Sequence, residues 1–128
     1  MPQRPPWDPD YNVGNDVIDA QHQRLLSECG RLADLCAEDS AVADAAAFDQ
    51  AFAQLKALAR EHFATEAALL ASQGFTDLEA HQDECDEFTY LADEIATTEH
   101  FDRMELQRFV SLWFVGHIIG SARQLRLR

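Results

Sequence analysis

The sequence predicts an all-α fold, an antiparallel up-down four-helix bundle behind an extended N-terminal arm. Three observations carry that expectation. Apolar residues recur at intervals of three and four through four long stretches, the signature of helices with one buried face. The segments between those stretches are short, so successive helices must fold back on one another. Glycine and proline are scarce, with 5 and 4 copies in 128 residues, and alanine is abundant, which favours helix over strand and turn.

Residues 1–15 are rich in Pro, Asp and Asn and read as an extended arm that Trp7 and Tyr11 pin to the body of the protein. After Asp16 a stripe of Ile18, His22, Leu25, Leu26, Cys29, Leu32, Ala33 and Cys36 defines a first helix, running to about Ala37. EDS at 38–40 breaks it. The second helix starts at about Ala46 and turns Phe48, Phe52, Leu55, Leu58, Ala59, His62, Phe63, Glu66, Leu69 and Leu70 inward, before the glycine stop SQGF at 72–75. A third begins near Asp77, with Leu78, His81, Cys85, Phe88, Leu91, Ala92 and Ile95 on its stripe. TTEHFD, 97–102, makes the next turn and leaves His100 in a polar, solvent-facing setting. The last helix, from about Arg103, contains LWFVGHII, is apolar around most of its circumference and is expected to be deeply buried, Trp113 and Phe114 included. Its basic end, RQLRLR, suits a helix C-terminus. With no repeat and no low-complexity tract, residues 1–128 are expected to form a single domain, the arm over 1–15 and the bundle over 16–125.

Composition excludes several function classes. With 23 acidic against 10 basic side chains the formal charge is −13, so nucleic acid and anionic membrane surfaces would repel the protein. No apolar run approaches the roughly 18 residues of a membrane span, and MPQRPPWDPDYNVG lacks the apolar core of a secretory signal. Three cysteines without paired spacing make no disulfide framework, and Cys29 and Cys36 read as small core residues. A cytoplasmic protein is expected.

The chemistry lies in where the histidines fall. His22, His62, His81 and His117 occupy apolar faces, one on each helix. A single inward imidazole is usually a core residue with its nitrogens satisfied; four of them, converging from four helices, point to a metal ion. Two helices offer a second donor one turn on, Glu66 after His62 and Cys85 after His81. Residues at i and i+4 share a helix face and can reach one centre. Asp19 and Glu28 read as surface groups or as supports behind the inward residues, with Asp19 able to orient an imidazole.

These segments resemble the hemerythrins, in particular the bacterial single-domain kind. Trp7, Gly14 and IDAQHQRLL (Ile18 to Leu26) match the first ligand segment of that family, HFATEAALL (His62 to Leu70) with the following GF the second, HQDECDEF (His81 to Phe88) the third and LWFVGHI, around His117, the fourth. The resemblance implies a di-iron centre held by five histidines with one Glu and one Asp bridge, reversible dioxygen binding or sensing, and Glu66 as the bridging glutamate. The sequence departs from that pattern twice: Cys85 stands where the family has a histidine, and Ala122, beside Ser121, stands where it has the bridging aspartate.

Those departures favour a remodelled site for one metal ion, zinc or iron, over the family's di-iron pair. His81, Cys85, His117 and Glu66 would give four ligands of a type suited to zinc, with His22 and His62 as a partial second site or an opening for dioxygen or another small diatomic ligand. Three further readings stay open: a di-iron oxygen binder that tolerates both changes, a metal-dependent enzyme, hydrolytic or oxygen-activating, and, least favoured because five of the seven expected ligands are kept, an interaction protein that retains the fold without the metal. No nucleophile motif, phosphate loop or cofactor fingerprint names a reaction, and no catalytic residue is assigned. Partner protein and oligomeric state leave no trace in the sequence.

Overall fold

The computed structural model describes residues 5–35, 45–74, 78–97 and 102–126. Four helices account for most of them: α1 (Asp16–Leu35), α2 (Ala45–Ser72), α3 (Leu78–Ala96) and α4 (Arg103–Arg126). Each packs on its neighbours in sequence, and α4 closes the ring against α1, so the fold is a four-helix bundle. Cys36, the break at 38–40, the expected start of the third helix at Asp77, and His100 lie outside the described residues.

Local chemistry sets the helix boundaries. The Asn15 carboxamide oxygen accepts from the backbone N–H groups of Val17 and Ile18, at 3.0 and 3.1 Å, and so caps α1. The Asp102 carboxylate accepts from Met104 N at 2.9 Å ahead of α4. At the far end of α2, Gly74 takes φ +76°, a left-handed stop that a residue with a Cβ adopts only under strain.

The arm is less extended than its composition implies. Pro9–Tyr11 form a short 3₁₀ turn capped by Asp8. Trp7 and Tyr11 meet edge to face at 5.3 Å and pack against the main core. Asp19 accepts from Val13 N at 2.8 Å and ties the arm to the first turn of α1.

Along the bundle axis the interior is layered. Most of it is one apolar core, including Leu25, Leu32, Phe48, Leu55, Phe88, Val110 and Phe114. A second, small apolar cluster joins Val13, Ile18, Leu70 and Ala122. Ile18 is one turn before His22, Leu70 one turn after Glu66, and Ala122 just over one turn after His117. The polar layer therefore lies between the large core and this plug, near one end of the bundle. The order core, ligand, plug runs backwards along α1 and α3 and forwards along α2 and α4, which is the antiparallel up-down arrangement.

Helix α4 differs from expectation. Phe114, Ile118 and Ala122 are fully buried, yet Leu112 is 62% exposed and Trp113 only partly covered. Its apolar circumference is wider than the contact that three neighbours offer, so one face looks outward. The indole of Trp113 stacks on the His117 imidazole at 5.0 Å, with the planes 10° apart, and shields that ring from the side. Among the described residues, no helix is long and apolar enough to cross a membrane. We expect Phe114→Ala to destabilise the fold by about 3–5 kcal/mol in denaturant unfolding, against about 0.5 kcal/mol or less for Leu112→Ala.

Candidate metal centre

Glu66 projects from α2 into the middle of the bundle and is buried with all four histidines around it. His62 Nε2 lies 2.9 Å and His22 Nε2 3.5 Å from its Oε2; His81 Nε2 lies 3.1 Å and His117 Nε2 3.4 Å from its Oε1. Ser121 donates its hydroxyl to the same Oε1 at 3.0 Å. Oε2 has no aligned hydrogen-bond donor despite its near neighbours. Burial pushes the Glu66 carboxyl up, but contacts with His117, His22, His62 and His81 outweigh it and hold the group far below the usual carboxylate range.

The imidazoles also face one another. His22 Nε2 and His62 Nε2 are 3.1 Å apart, and His62 Nε2 and His117 Nε2 3.3 Å. Which of these nitrogens carry protons follows from their outer neighbours. The Thr65 hydroxyl donates to Glu61 O at 3.0 Å, so Thr65 accepts from Gln21 Nε2 at 3.2 Å. That turns the Gln21 carbonyl oxygen toward His62 Nδ1, 2.9 Å away, and Nδ1 must donate. His62 Nε2 consequently presents a lone pair. On α4, His117 Nδ1 donates to the Glu84 carboxylate at 3.0 Å, leaving Nε2 pointed into the cluster. His22 Nδ1 is buried without a partner.

Lone pairs and a carboxylate thus converge on one buried point, an arrangement that is repulsive until something positive occupies it. A divalent cation fits the donor set: one ligand atom from each of His22, His62, Glu66 and His117 lies within 4.8 Å of all the others. In the metal-free protein a proton supplies the charge. Burial lowers the His117 pKa, but Glu66 and Glu84 more than reverse it, raising it from 6.5 to about 9. His62 goes the other way, lowered by burial to about 4, and stays neutral.

All six residues singled out from sequence are buried, but they do not form one equal set. The tight group takes His22 and His62, expected to be a partial second site, together with Glu66 and His117. His81 joins through Glu66 Oε1. Cys85 Sγ lies farther out, 4.0 Å from His81 Nε2, and lines a cavity of about 570 Å³ between α2 and α3. Burial, then the charges of Glu66, Glu84 and Asp86, push its thiol up to about 12. Cys29 is a core residue as expected, fully buried and not part of this layer.

Glu28 is largely covered, 3.7 Å from Arg31. Sequence reasoning missed Gln21, Thr65, Glu84 and Ser121 as supporting groups. Glu84 follows His81 by three residues and shares its side of α3, but in so acidic a chain that spacing carries no signal.

Comparison with known proteins agrees with this geometry. The family model described as the hemerythrin HHE cation binding domain matches residues 13–119, ending before Ser121 and Ala122. Bacteriohemerythrin of Clostridium acetobutylicum is 27% identical over 123 residues, covering 92% of this chain and 95% of that protein. A hemerythrin-like protein of Naegleria gruberi is 30% identical over 115 residues, covering 90% and 85%. Myohemerythrin of Riftia pachyptila is 31% identical over 114 residues, covering 89% and 84%. No solved structure matches significantly. A four-helix bundle with a buried His/Glu cluster, matched by a cation-binding family model over most of its length, belongs to the hemerythrin family.

Proposed function

We propose that this chain binds one metal ion, zinc or iron, through His22, His62, Glu66 and His117, and serves in metal or small-ligand binding or sensing rather than catalysis. The observation that carries the reading is the convergence of those four buried ligand atoms within 4.8 Å. Three imidazole nitrogens and a carboxylate suit either metal. Bound there, the ion would supply Lewis acidity and, as iron, a position for dioxygen or another small diatomic ligand.

The chain's own residues prepare the site. Gln21 and Glu84 hold the Nδ1 protons of His62 and His117, which keeps both Nε2 atoms turned inward. Ser121 fixes one oxygen of Glu66 and leaves the other without a donor. Hydrolysis would need an acid or base free to act beside an open metal position. Glu66 is engaged by its neighbours and Glu84 by His117, which speaks for binding over catalysis.

A second reading places the ion between His81, Cys85, His117 and Glu66. The 4.0 Å from Cys85 Sγ to His81 Nε2 favours it, being near the roughly 3.6 Å between a sulfur and a nitrogen on one tetrahedral zinc. Against it, the Cys85 thiol would have to give up a tightly held proton.

Elemental analysis of the purified protein decides stoichiometry, and one ion per chain is the expected result; two irons would restore the family's di-iron centre. At an ion concentration a hundredfold above Kd, we expect stabilisation of about 2.7 kcal/mol, or a rise in Tm of roughly 10 °C, abolished in His62→Ala. Cys85→Ser separates the two readings. Affinity should stay within about threefold, whereas a loss of tenfold or more would make the thiolate a ligand.

Proton bookkeeping gives a further test. His117 is charged below about pH 9 in the metal-free protein, so an ion must displace its proton, while His62 has none to lose above about pH 4. Loading near neutral pH should release about one proton per ion in buffer-dependent calorimetry, and affinity should rise by up to about tenfold per pH unit until about pH 9.

A further inference from the structure

The ligand layer is not sealed equally on all sides. His22 and His62 are 0% exposed, whereas His81 and His117 retain 7% and 5%. That residual exposure faces a cleft of about 390 Å³ between α3 and α4, lined by Glu66, His81, Glu84, His117, Gly120 and Ser121, with Arg123 on the wall as well. The neighbouring end of the bundle is closed by the apolar plug of Val13, Ile18, Leu70 and Ala122. A buried cation site needs an entry path, and polar groups that replace part of the ion's hydration shell ease the passage.

The cleft offers such groups in sequence from outside to inside. Glu84 has a side chain 49% exposed and stands 3.0 Å from His117 Nδ1. His81 and His117 follow, each within reach of Glu66 Oε1, and Glu66 itself is buried with its second oxygen unpaired. Two carboxylates at successive depths lower the cost of drawing in a divalent cation. Gly120 leaves the passage wide: a Cβ built there meets nothing within 4 Å. Gly116, one turn earlier on the same helix and equally open, does not line the cleft.

We propose that the α3–α4 cleft is the port through which a divalent metal ion enters and leaves the centre, with Glu84 as the capturing carboxylate at its mouth. The proposal rests on the metal-binding reading above. It assigns Glu84 a second task besides orienting His117, and gives the open glycine at 120 a role in ion exchange.

The test is a rate measurement on the full chain loaded with zinc(II) or cobalt(II). Uptake is followed by mixing, and release by transfer to a coloured chelator. Gly120→Phe narrows the cleft without touching a ligand, and Gly116→Phe makes the same change in helix chemistry outside it. We expect Gly120→Phe to slow uptake and release alike, by tenfold or more, with equilibrium affinity unchanged, and Gly116→Phe to exchange as the parent does. Gln124→Trp, a second narrowing at the same cleft, is expected to slow exchange too and stands in if Gly120→Phe does not fold. Rates within twofold of the parent in the folded cleft variants, or equal slowing in Gly116→Phe, would overturn the port. A parent protein that binds no ion at equilibrium would instead overturn the metal-binding reading itself.

Discussion

A carboxylate buried in the middle of a helical bundle is the constraint on which the rest of this structure depends. An isolated charge at that depth costs several kcal/mol, and the protein meets it from every side. Helix α1 supplies His22, α2 His62 beside Glu66 itself, α3 His81, and α4 both His117 and Ser121. Sliding any helix by one residue would turn its histidine away and leave Glu66 short of a partner. The apolar core makes the bundle cohere; this polar layer narrows its register, because hydrophobic contacts alone tolerate small slips that polar groups converging on one carboxylate do not.

Two of the imidazoles are prepared in opposite ways, and the difference lies outside the cluster. His62 is oriented by a neutral carboxamide, whose own direction is set by Thr65. His117 is oriented by an anion. The first partner fixes geometry without charge, so burial prevails and His62 remains neutral. The second adds to the field of Glu66, so His117 holds a proton where no other cation is present. Where no metal is bound, the proton on His117 offsets part of the negative charge that Glu66 and Glu84 bring together.

Much of this was legible from residue spacing, for a definite reason. Histidines at inward positions contradict the apolar pattern that surrounds them, so His22, His62, His81 and His117 stand out without any coordinates. A helix limit was equally plain where a glycine marks it, as at Gly74. What spacing does not convey is distance across the bundle. Spacing groups His117 with His81 and Cys85 as readily as with any other helix, yet its Nε2 lies against His62. Nor does spacing convey that Asp19 holds the arm. Gln21, Glu84 and Ser121 stayed hidden because polar residues on helix surfaces are commonplace, and their importance comes from a partner on another helix. The exposed face of α4 was hidden for the converse reason: an apolar residue such as Leu112 need not be covered.

The small apolar plug carries one more implication. Ligands placed one to three turns from the end of a bundle would ordinarily be wetted whenever that end frays. Here the end is closed by Val13, brought over Ile18, Leu70 and Ala122 by the bond from its backbone to Asp19. The closure of this end thus depends on a segment that belongs to no helix and contributes no ligand. Trimming the chain back past Val13, or loosening the Asp19 latch, would flood the layer from behind while leaving every coordinating atom in place; the arm functions as a gasket for the chemistry it never touches.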